Sequence, residues 1–274
     1  MTPVPDAILL VGHGTRNAAG TEQFLRLVEL VRGAVPLPVE VGFIELQQPT
    51  IEMALANLAE RGLAKIVLSP ALLFAAGHAK QDIPAAIANA LAVHPQLQIT
   101  VAEPLGCHEA LIDLAALRFS SSLSSVLRGE GRGEGLALKQ TSATPHPPTG
   151  LVLIGRGSSD PAAIDHCRQF ATALGEKVNA AGVFTGFIAV ARPNLPEALE
   201  QAAAAGFARI VVQPHLLFSG EMLETTSAAV ARAQQTHPQI DWRQAPILGS
   251  DLLEPASLAA DYLVRALIAR IPAV

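Results

Sequence analysis

GFIELQQPTIEMAL at residues 42–55 and GFIAVARPNLPEAL at residues 186–199 are two copies of one pattern. Two more pairs follow the same register. VGHGTRN (11–17) corresponds to IGRGSSD (154–160), and GLAKIVLSPALLFAAGH (62–78) corresponds to GFARIVVQPHLLFSGEM (206–222). The copies are separated by 143 or 144 residues throughout. A repeat with a fixed period indicates a duplicated structural unit.

Each copy alternates strand patterns with helix patterns. Continuous apolar runs predict parallel strands covered on both faces, and apolar residues at helical spacing predict the helices between them. In the first copy we predict strands at 7–11, 39–46, 65–70 and 97–104, and helices at 20–33, from Pro49 to Gly62, at 80–93 and at 107–127. In the second copy we predict strands at 151–155, 182–191, 209–214 and 240–244, with a last helix through 252–270.

These elements predict an α/β protein of two duplicated lobes, each a parallel four-stranded sheet flanked by helices. The lobes are expected at residues 1–128 and 151–274. Residues 129–150 are rich in Gly, Pro, Ser and Thr and have no apolar period, which is typical of a flexible linker.

The composition excludes several classes of protein. A formal charge of −5 argues against a nucleic-acid binder, which needs a dense basic face. Cys107 and Cys167 have no spacing typical of a disulfide framework or a metal-binding motif. The N-terminus lacks the basic start of a signal peptide, and the longest apolar stretch, 66–77, is too short to span a bilayer. We therefore expect a soluble cytoplasmic protein that binds neither membrane nor nucleic acid.

Three side chains of the first copy follow the ends of its predicted strands. His13 follows the first strand, Glu45 ends the second, and His78 lies in the loop after the third. Ligands of parallel sheets bind beyond the carboxyl ends of the strands, so these side chains are expected at one edge. Two imidazoles and a carboxylate suit a divalent iron, cobalt or nickel ion, and they can also accept protons. Each residue also has a structural alternative, such as capping a helix or facing solvent.

The second copy lacks all three candidates. Arg156, Ala189 and Met222 stand at the positions of His13, Glu45 and His78, although the surrounding pattern is kept. This favours a functional over a structural role, because the second copy is predicted to fold without them. Its own edge carries basic and hydroxyl groups that suit carboxylates or phosphates, or alternatively form surface charges and salt bridges between the lobes: Arg156, Ser158, Arg192 and His215.

The motifs GHGT, FIELQQPT and LLFAAGHAKQDIP, followed in order by GRGSSDP and ARPN, resemble those of the sirohydrochlorin chelatases of the class II chelatase family, in its long, two-lobed form. The resemblance covers nearly the whole chain except 129–150. It implies two chelatase-like lobes that face each other across a central cleft. It also implies a lyase that inserts Co²⁺ or Fe²⁺ into sirohydrochlorin, in cobalamin or siroheme biosynthesis. The loop before the second histidine, Ala76-Gly77, is smaller than is usual in the family.

The resemblance also implies roles for the candidate residues. His13, Glu45 and His78 correspond to the residues that handle the metal and the pyrrole protons. The carboxylates of the tetrapyrrole substrate would be held by Arg156, Ser158, Arg192 and His215 of the second lobe, with help from Arg16 and Lys80. The metal is then a substrate, and we expect no permanent cofactor. Because the duplication can replace a dimer of single lobes, we expect a monomer.

Two other functions fit the same residues. A tetrapyrrole or metal carrier without turnover would need the same ligands. A phosphate-ester enzyme would use His13 as its nucleophile. The sequence does not decide among cobalt, iron and nickel, because all three suit histidine and carboxylate ligands.

Overall fold

The computed structural model describes residues 4–74, 78–123 and 147–272, with His78 described by its backbone alone. In the first half, strands and helices alternate in the order β1 (Ala7–Gly12), α1 (Ala18–Ala34), β2 (Val39–Phe43), α2 (Ile51–Glu60), β3 (Lys65–Pro70), α3 (His78–Val93), β4 (Gln98–Val101) and α4 (Glu109–Leu123). The second half repeats this order with β5 (Thr149–Gly155), α5 (Pro161–Lys177), β6 (Gly182–Phe187), α6 (Leu195–Ala204), β7 (Arg209–Pro214), α7 (Glu221–Thr236), β8 (Asp241–Gln244) and α8 (Leu258–Ile268).

Each half forms a parallel four-stranded sheet, which confirms the predicted fold class. The strand orders are β2-β1-β3-β4 and β6-β5-β7-β8. In the first sheet β1 pairs with β2 on one side and with β3 on the other, so the chain reverses its direction of travel across the sheet beside β1. The crevice beyond the carboxyl ends of β1 and β3 is therefore a topological switch point, where α/β proteins bind ligands.

Three predicted strands end earlier than the sequence pattern suggested. β2 ends at Phe43 rather than at 46, because the chain turns at Leu46, whose φ of +64° does not fit an extended strand. Glu45 therefore lies in a turn beyond the strand. β6 likewise ends at Phe187 rather than at 191, with the same turn at Val190. β4 is also shorter than predicted, at Gln98–Val101.

Several helix boundaries also differ from the prediction. α2 begins at Ile51 because the Thr50 side chain caps it by accepting a hydrogen bond from the amide of Met53, so Pro49 is not its first residue. Gly62, with a φ of +76°, follows the end of α2 as predicted. α8 begins at Leu258, not at 252, because residues 249–256 form turns before the capping residue Ser257.

The predicted linker partly lies outside the described residues, as do residues 124–127 of the predicted fourth helix. The last two residues of the predicted linker, Thr149 and Gly150, belong to β5. The second sheet therefore begins two residues before the predicted start of the second lobe at 151.

One apolar core joins the two lobes. Alternate residues of β1 face opposite sides of the sheet: Ile8 and Leu10 belong to this shared core, whereas Leu9 packs in a separate cluster under α2 and α3. In β5, Leu151 and Leu153 enter the same shared core. The shared core also takes residues from four helices, α1, α4, α5 and α8. The inner faces of both sheets are therefore held together by continuous hydrophobic packing.

Helix α4 crosses to the other lobe. It belongs to the first half of the chain, yet it contacts β7 and β8 of the second sheet as well as α5 and α8. Its Arg118, which is 8% exposed, donates to the Leu248 carbonyl at 3.0 Å and forms an ion pair with Asp251 at 2.5 Å. Helix α8 packs in turn against α1. Helix α4 of the first half of the chain thus packs on the second sheet.

Two further predictions concern the cysteines and membrane segments. Cys107 and Cys167 are both free thiols, and burial raises the pKa of Cys167 to about 12. Among the helices that the structure describes, none has the length and apolar character that a bilayer crossing requires.

Candidate functional site

The turn that carries His13 packs directly on the turn after β2. The His13 carbonyl accepts a hydrogen bond from the amide of Glu45 at 3.0 Å. Gly14 has a φ of +95°, and a Cβ at this position would lie 1.9 Å from the Glu45 carbonyl oxygen. Only glycine permits this approach. The two turns therefore place the Glu45 side chain beside His13, with Oε1 3.3 Å from Nδ1.

The second lobe builds the same pair of turns from different side chains. The Arg156 carbonyl accepts from the amide of Ala189 at 2.9 Å, and a Cβ on Gly157 would lie 1.9 Å from the Ala189 carbonyl oxygen. This confirms that Arg156 and Ala189 are the structural counterparts of His13 and Glu45. The framework is duplicated, whereas the ionisable side chains on it are not.

The two copies of the turn meet across the boundary between the lobes. Arg156 Nη1 lies 2.9 Å from His13 Nε2. A guanidinium is permanently protonated and can only donate, so Nε2 of His13 is the acceptor. The hydrogen on His13 is then assigned to Nδ1, where it faces Glu45. With its hydrogen on Nδ1, His13 presents the Nε2 lone pair, which is the form of imidazole that binds metals.

A second ion pair crosses the boundary nearby. Lys80, in the first turn of α3, contacts Asp160 at 2.5 Å, and Asp160 caps the N-terminus of α5 through the amide of Ala162. The hydrogen bond from Lys80 lowers the pKa of the Asp160 carboxyl below its ordinary value. Lys80 therefore lies at the predicted edge, but its ammonium group is engaged by the second lobe.

His78 is the first residue of α3, which places its backbone at the carboxyl end of β3 as expected. Its side chain lies outside the described part of the structure, so the predicted set of three metal ligands is represented here by His13 and Glu45. Within the described residues, no three histidine, cysteine, aspartate or glutamate side chains form a group able to hold a metal ion.

His215 is located differently from the prediction. It is 3% exposed and lies against two aromatic rings, with centroid distances of 4.1 Å to Phe170 and 5.3 Å to Phe74. Burial lowers the pKa of His215 to about 3, so the ring is neutral. In this position it lacks the exposed surface and the positive charge that holding a substrate carboxylate would require. Instead it packs against Phe74, which follows β3 of the first lobe.

The remaining predicted contacts lie at the surface of the two lobes. Arg16 is exposed in the segment between β1 and α1. Ser158 accepts a hydrogen bond from the amide of Asp160 at 3.0 Å and so shapes the start of α5. Arg192 is 76% exposed and forms an ion pair with Glu197. The structure thus brings His13, Glu45 and Arg156 into contact, and it places Arg16, Ser158 and Arg192 in the segments that follow β1, β5 and β6.

A sequence model of the CbiX family matches the chain twice, over residues 7–122 and over residues 150–259. The chain belongs to the CbiX family. The double match coincides with the two lobes and leaves out the segment between them.

The chain is similar to two chelatases of Priestia megaterium and to one solved structure from Bacillus subtilis. A sirohydrochlorin ferrochelatase of Priestia megaterium is 33% identical over 219 residues, which cover 80% of this chain and 75% of the relative. A sirohydrochlorin cobaltochelatase of the same organism is 29% identical over 244 residues, covering 89% of this chain and 74% of the relative. The solved structure of SirB from Bacillus subtilis with Fe³⁺ is similar at a TM-score of 0.77 and 26% identity, and covers 96% of this chain and 93% of SirB.

Two residues of this CbiX-family chain support the site but were not predicted. The side-chain nitrogen Nε2 of Gln47 donates to the Thr15 carbonyl at 2.7 Å and to the Thr21 hydroxyl at 2.5 Å, which ties the turn after β2 to the start of α1. Asp160 pairs with Lys80 across the lobes. The Asp160-Pro161 step is a recognisable helix start, but its partner is 80 residues away and has no signal in the sequence.

Proposed function

We propose that this chain inserts Co²⁺ or Fe²⁺ into sirohydrochlorin, with the metal handled by the first lobe and the macrocycle's carboxylates held by both. The observation that carries the proposal is the contact of His13 with Glu45 on one nitrogen and with Arg156 on the other. A metal ligand and an anion-binding group thereby meet at the boundary between the lobes. Family membership supplies the reaction class.

Metal insertion requires that the ion sheds water, approaches the ring and replaces two pyrrole N–H protons. His13 offers its Nε2 lone pair to the incoming ion, and Glu45 holds the imidazole in that tautomer. Glu45 is 47% exposed, so it can also pass the two pyrrole protons to solvent, one after the other. From its position in the sequence, His78 completes the ligand set.

Arg156 occupies the nitrogen of His13 that the metal needs. A carboxylate of the substrate binds a guanidinium more strongly than a neutral imidazole does. Binding of the macrocycle therefore draws Arg156 away from His13 and releases the Nε2 lone pair at the time when the ring is in place. The carboxylate rim is further held by Arg16, Lys80, Ser158 and Arg192.

The metal is a substrate in this scheme, and no permanent cofactor takes part. One chain supplies both edges of the site, so we further propose that the monomer is active. A tetrapyrrole carrier would use the same contacts but would stop after one binding event.

The proposal is tested by anaerobic incubation of the protein with excess sirohydrochlorin and Co²⁺, Fe²⁺ or Ni²⁺ in turn, following the absorption change of the ring. We expect many metallated rings per protein for the wild type and a loss of about 100-fold or more in His13→Ala, as removal of a metal ligand implies. The matched control is His237→Ala. His237 also contacts a carboxylate, Glu200 at 3.1 Å, but it follows the far end of α7.

A His13→Ala protein that inserts metal at the wild-type rate would contradict the assignment of His13. A wild-type protein that yields at most about one metallated ring per chain would indicate a carrier.

A further inference from the structure

Leu46 and Val190 occupy equivalent places in the two lobes. Each follows the residue whose carbonyl oxygen packs on the glycine turn, Glu45 in the first lobe and Ala189 in the second. Both have a left-handed backbone, with φ values of +64° and +62°. Both side chains are exposed, with relative accessibilities of 54% and 78%.

This combination is unfavourable in two independent ways. A branched side chain at positive φ crowds the backbone, which is why glycine or asparagine normally fills such positions. An exposed aliphatic side chain also gains nothing from burial. Asn179 is the third described non-glycine residue with a positive φ, and asparagine tolerates this conformation. Residues that cost stability at such positions indicate a functional requirement.

Leu46 and Val190 are the chain neighbours of two residues that pack on the turns of His13 and Arg156. Leu46 follows Glu45, whose carboxylate contacts the His13 ring at 3.3 Å. Val190 follows Ala189, whose amide is bonded to the backbone of Arg156 at 2.9 Å. Each lobe therefore carries one exposed aliphatic residue in the turn that packs beside His13 or Arg156. The ionisable residues of these turns differ between the lobes, but the aliphatic residue is present in both.

A ligand that suits this arrangement has apolar faces and an acidic rim. We propose that Leu46 and Val190 are apolar contacts for the tetrapyrrole macrocycle, one from each lobe, which hold the ring at His13 while the basic groups hold its carboxylates. This inference rests on the proposed function. The charge of the neighbouring groups supports the choice of ligand, because Arg156, Lys80 and Arg16 carry the positive charges that an acidic rim requires.

The test uses Leu46→Asn, Val190→Asn and the double variant. Asparagine tolerates the left-handed backbone and removes the apolar contact, so the fold is expected to persist, which thermal unfolding checks. Val93→Asn is the matched control, because Val93 is 73% exposed but lies at the last residue of α3, away from the carboxyl edge. Val190→Leu keeps an aliphatic side chain and should bind as the wild type does.

Sirohydrochlorin is titrated into each metal-free protein, and Co²⁺ is titrated separately. We expect the sirohydrochlorin Kd to rise about 5- to 10-fold in each single variant and about 30- to 100-fold in the double variant, from the loss of partly buried aliphatic groups. The KM should follow, whereas the Co²⁺ affinity and the Kd of Val93→Asn should not change.

Tight binding by the wild type together with an unchanged Kd in the double variant would overturn the inference. The inference would also be overturned if sedimentation showed that the wild type is a dimer and the double variant a monomer, while the sirohydrochlorin Kd stayed the same. A wild type that does not bind sirohydrochlorin at all would instead refute the proposed function.

Discussion

Arg156 and His13 stand at equivalent positions of a duplicated turn, 143 residues apart, and their side chains touch at 2.9 Å. The guanidinium donates to the nitrogen lone pair of His13 that a metal ion would use. The positively charged guanidinium of Arg156 therefore occupies the position at which the proposed function requires a metal ion.

Arg156→Met should strengthen Co²⁺ binding in the absence of tetrapyrrole. The substitution removes both a hydrogen bond to Nε2 and a neighbouring positive charge, so we expect a Kd about 5- to 20-fold lower. The Co²⁺ absorption spectrum measures this directly. The same variant should bind sirohydrochlorin more weakly.

Two variants control this measurement. Arg192→Met removes an exposed arginine that pairs with Glu197, and it should leave Co²⁺ binding unchanged. In the double variant Arg156→Met with His13→Ala, the gain in affinity should disappear. An unchanged Co²⁺ Kd in Arg156→Met would show that the contact does not compete with metal.

Gly14→Ala should abolish most of the insertion activity. Its Cβ would lie 1.9 Å from the Glu45 carbonyl oxygen, so the turns must separate and Glu45 must leave His13. We expect the rate to fall by more than about 10-fold, since positioned proton-transfer groups contribute at least this much.

Gly62→Ala is the matched control for this prediction. Gly62 also has positive φ, but a Cβ there meets nothing within 4 Å. It should lower the free energy of unfolding by about 1–2 kcal/mol through backbone strain alone and leave the rate unchanged. Equal activity of the Gly14 and Gly62 variants would disprove the packing argument.

His215 should make the protein less stable in acid. Its pKa is lowered to about 3 from an ordinary 6.5 by burial, so between these values the unfolded chain binds a proton that the folded chain does not. Stability is then lost as the pH falls below 6.5, by up to about 1.4 kcal/mol per pH unit.

His215→Phe should flatten this dependence. Phenylalanine suits a place between Phe74 and Phe170, and it cannot be protonated. Denaturant unfolding between about pH 4 and 7 measures the slope, and a comparison at about pH 8 isolates any change in packing. The prediction fails if the variant keeps the wild-type slope.

Asp251→Asn should destabilise the contact between α4 and the second lobe. Arg118 and Asp251 have side chains only 10% and 13% exposed, so removing the carboxylate leaves a nearly buried cation without its counter-ion. We expect a loss of about 3 kcal/mol in the free energy of unfolding.

Glu29→Gln is the surface comparison, because Glu29 is 57% exposed in its pair with Arg32. It should cost less than about 1 kcal/mol. Similar losses in the two variants, measured by denaturant titration, would show that the Arg118 pair behaves as a surface pair.

The sequence predicted the sheets well, because their strands are apolar runs that recur in both copies. It predicted the first and last residues of the strands and helices less well. The strand pattern continues through Glu45, but the turn at Leu46 is set by its packing against the Gly14 turn. The sequence pattern predicts the last helix from 252, whereas Asp251 pairs with Arg118, 133 residues earlier, and accepts a hydrogen bond from the amide of Leu258, the first residue of α8.

The sequence by itself determined that the protein is a duplicated α/β fold and that His13 and Arg156 follow the ends of its strands, since periodicity and position along a strand are local properties. Only the tertiary structure decided that Arg156 contacts His13, that His215 is buried between aromatic rings and that α4 packs on the second sheet. These outcomes depend on how two sheets share one apolar core. No spacing within either copy encodes that arrangement.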